Sequence, residues 1–187
     1  MKYLFQVGLL FGSLNFVQAT SITLFPPNST FNGNNAYENL VTLGPNQNII
    51  SASLVFDITL TAAGVNTFSY DIINRNDATA TPVDNDAGTD YFLVTSPYSA
   101  TAVRLGIKTF TLGERWQSTY NFATAGTLGT LNNYAGDGHF DFGFDPDCTY
   151  RGSIVFNYQA PDRSATVVLI GLSFVGLLAF RRQLRVN

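Results

Sequence analysis

The chain of 187 residues is short of several things, and each shortage narrows what it does. There is one cysteine, Cys148, so no intrachain disulfide can form and the domain must hold by its core alone. A lone thiol is either buried or open to intermolecular chemistry. We expect it buried, because free cysteine packs as a small hydrophobe. One histidine, His139, and one cysteine argue against a zinc site. No Gly-x-Ser-x-Gly is present, and His139 would have to serve any serine–histidine arrangement alone. Asp141, Asp145 and Asp147 are the candidates for a glycosidase-like carboxylate pair, but no glutamate follows Glu114. Aspartate beside Pro146 is ordinary turn composition, and we expect no enzyme. Basic residues are scarce in the middle of the chain. From 20 to 161, five of them (Arg75, Arg104, Lys108, Arg115 and Arg151) stand against twelve acidic ones, a net charge of −7. That balance argues against nucleic acid as a partner.

Long apolar runs are confined to the two ends. Lys2 is followed by a mostly apolar stretch from Tyr3 to Leu14, and Val17-Gln18-Ala19 offers small residues where a signal peptidase reads. We expect a signal peptide over 1–19. At the other end, Ser164 to Phe180 carries no charge over its 17 residues. As a helix it is about 25 Å long, the short end of what crosses a bilayer core of about 30 Å. Arg181, Arg182 and Arg185 follow at once and would hold that end on the cytoplasmic side. A buried core helix would instead show a polar and an apolar face. The expected organisation is therefore a signal peptide (1–19), an ectodomain (20–160) and a tail (161–187). The tail divides into a polar motif (161–166), a transmembrane helix (164–180) and a basic end (181–187).

Between the ends, Thr, Ser, Asn, Gly and aromatics abound and no helical period is sustained. Leu54, Phe56, Ile58 and Leu60 alternate with polar residues, the period of a strand with one buried face. Val65 to Ile73 repeats the pattern with Phe68, Tyr70 and Ile72, and the two read as a hairpin. Strands are also expected over Ser21–Phe25 (ended by Pro26-Pro27), Leu40–Leu43, Tyr91–Thr95, Ala102–Leu112 and Ser118–Phe122. His139 to Phe144 puts Phe140, Phe142 and Phe144 on one face and His139, Asp141 and Gly143 on a polar, solvent-facing one. Ser153 to Tyr158 returns as its partner. Leu128 to Gly138 reads as a Gly/Asn-rich connection. Short strands with turn signals and no helices point to an antiparallel β-sandwich, jelly-roll or immunoglobulin-like, ahead of the transmembrane helix.

The connection Asn74 to Asp90 is long for a loop without a purpose. Asp84, Asp86 and Asp90 alternate with amide and small residues in the manner of oxygen-rich calcium loops. The glycine is one place off and no glutamate sits at the twelfth position, so a solvated acidic loop is the simpler expectation. Calcium stays a low-ranking cofactor, with no other expected. Trp116 is expected as a core or edge aromatic rather than a sugar platform. Tyr98, Trp116 and Tyr134 are the aromatics a carbohydrate-binding version would use.

The tail has a recognisable order. Pro161-Asp162-Arg163-Ser164-Ala165-Thr166, a glycine-containing apolar helix and a terminal arginine cluster resemble the PEP-CTERM class of bacterial sorting tails. The match is closest to the variant reading Val-Pro-Asp-Ser-Gly-Ser-Thr. Pro161, Asp162 and Thr166 match it, while Ala160, Arg163, Ser164 and Ala165 depart from it. The segment Gly143, Asp145, Pro146, Asp147 and Cys148 resembles one found just before such tails, with Thr149 where histidine is common. The resemblance implies a membrane-embedded exosortase as processing partner and delivery to the cell surface or extracellular matrix, often alongside exopolysaccharide. The chain is thus expected to be an exported, membrane-tethered and then exosortase-processed surface or matrix protein of structural role. The alternative is a calcium- or carbohydrate-binding surface module.

Overall fold

Ser51 to Leu60 does what its alternation dictates: Ala52, Leu54, Phe56, Ile58 and Leu60 are buried and the residues between them are half-buried. A computed structural model of the chain describes residues 17–44, 47–75, 89–161 and the backbone of 83–84. The chain divides into two compact units, Ala19–Ala160 and the two ends Met1–Gln18 with Pro161–Asn187. The first is described below. Asp162, Thr166, the predicted span 164–180, Arg181, Arg182 and Arg185 lie outside the described residues, as does most of the predicted signal peptide. Among the described residues, no helix is long and apolar enough to cross a membrane.

The fold is mostly strand. β1 (Val17–Phe31), β3 (Ser51–Leu60), β7 (Arg115–Asn121) and β9 (Tyr150–Pro161) form one sheet in the order β1-β9-β3-β7. β2 (Asn35–Thr42), β4 (Thr67–Ile73), β5 (Val83–Asp84), β6 (Ala102–Thr109) and β8 (His139–Pro146) form the other, in the order β5-β2-β8-β4-β6. β3 pairs antiparallel with β7 and β9; β2–β8, β4–β8 and β4–β6 are antiparallel too. The inner faces meet in an aromatic core, giving a sandwich-like fold. Phe142 of β8 packs on Phe156 of β9 (ring centroids 5.1 Å apart), Tyr70 of β4 on Phe56 of β3 (4.8 Å) and Phe68 of β4 on Tyr150 of β9 (5.3 Å). Such pairs contribute about 0.5–1.5 kcal/mol each beyond the area they bury.

Several expectations change. β3 and β4 are not a hairpin, and neither are β8 and β9, because each pair is split between the two sheets. A two-residue period tells which face is buried but not which sheet the strand joins. Tyr91 to Thr95 is not a strand: Tyr91–Val94 forms a one-turn helix, α1, capped by the Asp90 side chain. The connection after Thr127 is helical as well, as α2 (Leu128–Tyr134) followed by a 3-10 turn (Ala135–Asp137), anchored by the buried Leu131 and Ala135. Pro26 and Pro27 do not end the first strand, which runs on to Phe31. β1 sits at the sheet edge, where missing N–H donors are tolerated, and Asn28 takes up a left-handed φ of 69° beside them.

Candidate functional site: a buried acidic layer

The side of β8 that alternation assigns to water is sealed. Asp141 is 0 % exposed and Asp145 2 %. Strand register explains the company they keep. Gly143 has Glu38 of β2 as its partner on one side and Asp71 of β4 on the other. Asp71 in turn is opposite Arg104 of β6. One row across the outer face of the sheet therefore reads Glu38, Gly143, Asp71, Arg104, with Asp141 and Asp145 flanking it. Lying over this face are α1 and the residues after it. Tyr91 and Phe92 are buried there with Ala36 and Ile73, and Tyr98 and Ala102 pack against them.

Two guanidinium groups hold the layer. Arg75, itself buried, is ion-paired with Glu38, lies 3.5 Å (Nε) from Asp141 Oδ2, and sits 4.5 Å above the Tyr98 ring. Arg104 reaches in from the exposed edge strand to Asp90, with Nε 2.8 Å from Oδ2. The other Asp90 oxygen accepts the N–H groups of Phe92 (3.1 Å) and Leu93 (3.3 Å), fastening the start of α1. Asp145 accepts the Tyr91 N–H at 2.8 Å. Asp71 is different: it is 0 % exposed and, among the described residues, neither carboxylate oxygen has a hydrogen-bond partner.

Burial disfavours the charged form of both these acids. It pushes the Asp71 carboxyl up to about 8, helped by the negative charge of Asp90 and opposed by Arg104. It pushes Asp145 up to about 7, against the pull of the Tyr91 N–H. The layer thus contains acids positioned to take up and release protons near neutrality.

The predicted site residues are partly brought together. Asp90, expected in a calcium loop, and Asp145, from the tail-proximal segment, meet in this one layer. The Asp90 carboxylate is committed to Arg104 and to the helix cap, and the side chains of Asp84 and Asp86 lie outside the described residues. Among the described residues, no three His, Cys, Asp or Glu side chains are grouped to hold a metal. Pro146 ends β8, and Asp147 and Cys148 form the turn behind it. Asp147 bonds to the Thr67 hydroxyl, the buried Cys148 thiol donates to Ala62 O at 3.0 Å, and the Gly33 turn presses against Cys148 from the other side. This segment is a clamp between loops. Pro161 is the final residue of β9.

The three aromatics that a carbohydrate-binding version would use are half-buried and occupied, Trp116 as the core or edge aromatic it is expected to be. Tyr98 lies under Arg75, the Tyr134 hydroxyl donates to Thr101 O at 2.8 Å, and Trp116 stacks on Phe56 at 4.9 Å. Open grooves lie instead on the outer face of the other sheet. One of about 360 Å³ is lined by Ser51, Ser53, Asn121, Asn157 and Gln159, and one of about 470 Å³ by Asp57, Thr59, Arg115, Arg151 and Ser153. Arg115 is bound to Asp57, whereas exposed Arg151 has no carboxylate partner among the described residues.

Glu38, Asp71, Arg75 and Arg104 escape a reading of the sequence. The one signal they leave is Asp71, a charge set inside the apolar strand Phe68–Ile73. The chain matches no protein-family model, no curated protein and no solved structure.

Proposed function

We propose that the chain is an exported surface or extracellular-matrix protein of structural role, without enzymatic activity. In this reading the ectodomain is tethered by the 164–180 helix, recognised by an exosortase-type enzyme at Pro161, Asp162 and Thr166, and left at the envelope surface alongside exopolysaccharide. The observation that carries it is the order of the tail: polar Pro-Asp motif, 17 uncharged residues, arginine stop. The condition of the acidic residues supports it, since Asp90, Asp141, Asp145 and Asp147 are all engaged in packing or pairing within the domain. We further infer a jelly roll. With the two-residue β5 set aside, the sheets read first-eighth-third-sixth and second-seventh-fourth-fifth, an order in which only the fourth and fifth strands are both consecutive and paired. The test is secretion: a chain ending at Gln159 should appear free in the medium, while the full chain stays with the envelope. Release of the full chain without processing would remove the anchor from the account.

The grooves favour one second reading, a carbohydrate-binding surface. Hydroxyl and amide side chains in register across β7, β3 and β9 (Asn121, Ser53 and Asn157) offer hydrogen bonds to sugar hydroxyls. Retarded migration through gels containing polygalacturonate, abolished by Arg151→Gln, would favour it. Unchanged migration of the folded chain in both polygalacturonate and dextran gels would dispose of it.

A further inference from the structure

The acidic layer holds a group with nothing to satisfy it. Asp71 is completely enclosed, and among the described residues neither of its oxygens has a hydrogen-bond donor. An ionised carboxylate in such a place carries the full cost of lost hydration. Its surroundings add to that cost. From β8 it is faced by Asp145 and, farther along the strand, Asp141; from β2 by Glu38; from the segment ahead of α1 by Asp90. Against these stand Arg104 of β6, already bound to Asp90, and Arg75, already bound to Glu38 and Asp141. Tyr91 and Tyr98 close the layer from the cover. Among the described residues, five carboxyl groups thus face two guanidiniums, and Arg104 is bound to Asp90 and Arg75 to Glu38 and Asp141.

We propose that this layer is a proton-operated latch: the cover formed by α1 and the residues after it is seated while Asp71 is in its acid form, and ionisation of Asp71 unseats it. The acid form removes the excess charge and leaves Arg104 to Asp90, which keeps the start of α1 fastened. The ionised form needs donors that only solvent or a displaced arginine can supply. Water must then enter between sheet and cover, or Arg104 must leave Asp90; either loosens α1. What opens is a sheet face lined by Glu38, Asp71, Asp141 and Asp145.

The direction follows from linkage. Burial pushes the Asp71 carboxyl up to about 8 in the folded chain, from 3.8 for the exposed group. The closed state therefore carries the extra proton, and its advantage falls as pH rises from the lower value to the higher. Asp145, raised to about 7, acts in the same sense. Each such proton makes the opening equilibrium about tenfold more favourable per pH unit within that window.

The test is amide exchange of the full chain over about pH 5 to 8, following Thr95, Ser96 and Ala102, whose N–H groups bond within the cover. After correction for the chemical rate, opening should grow about tenfold or more per pH unit. In Asp71→Asn, which copies the acid form, the growth should fall by the share of one proton. A corrected rate that does not change with pH in the wild-type chain overturns the latch. So does an Asp71→Asn variant with the same pH slope. If that variant fails to fold, Asp145→Asn carries the comparison: its slope should fall below that of the wild-type chain, and a slope equal to wild type overturns the layer as the source of the pH dependence.

Discussion

The ring of Phe92 lies directly over Gly143, so close that a Cβ built on the glycine would stand 2.7 Å from the ring carbon Cδ2. Phe92 is fully buried and Gly143 sits mid-strand between Glu38 and Asp71. The absent side chain is what lets α1 settle on the sheet. Gly143→Ala should therefore lift the cover and cost about 1–3 kcal/mol, seen as a lower urea midpoint with the far-UV spectrum retained. A stability equal to wild type would mean that the cover does not bear on Gly143.

Arg75 is the counter-charge of two enclosed acids. Arg75→Leu leaves Glu38 and Asp141 without it, and breaking a buried pair from one side costs about 3–5 kcal/mol. Denaturant unfolding measures the loss. Adding Glu38→Leu to the same chain should return part of it, and a double variant no better than the single one would contradict the pairing.

Phe156 touches the rings of Phe122, Phe140, Phe142 and Tyr158, and so ties β9 to the opposite sheet. Truncating such a residue costs about 3–5 kcal/mol, a large part of the stability of a domain without disulfides. Phe156→Ala should unfold at markedly lower urea, whereas Val155→Ala, on the half-buried outer face, should shift the midpoint far less.

How far the sequence is legible differs from strand to strand. β3 is read correctly because one of its faces meets the core and the other is only half-buried, so alternation survives. β8 misleads for the opposite reason. Asp141 looks solvent-facing and Asp145 looks like a turn residue, but both lie in β8 under a second layer, and polarity on a sheet face marks a polar environment rather than a wet one. The helix at Tyr91 was concealed by strand-like residues; the Asp90 cap and the space over Gly143 outweigh their propensity. Cys148 is buried as expected of a lone thiol. The row Glu38, Gly143, Asp71, Arg104 joins four strands that are far apart in the chain, and no local pattern records such a meeting.

Cys148 offers a simple check of the loop clamp. Enclosed between Ala62, Gly64 and Gly33, its thiol should resist an aromatic disulfide reagent in the native chain and react once denatured. Rapid labelling of the folded protein would show the clamp to be open.

Calcium has an equally direct trial. With the Asp90 carboxylate held by Arg104, millimolar calcium should leave the melting temperature where EDTA leaves it. A rise of several degrees, reversed by EDTA, would instead return Asp84, Asp86 and Asp90 to the role of ligands and require Arg104 to move aside.

The central claim is that the tail is a sorting signal and the sandwich its delivered cargo. Intact mass of the protein taken from its own fractionated cells tests this most directly. The account predicts a chain ending near Pro161 or Asp162, recovered from the outer envelope or matrix. A chain running to Asn187 in the inner membrane would contradict it, leaving a plain single-span anchor and no role for an exosortase.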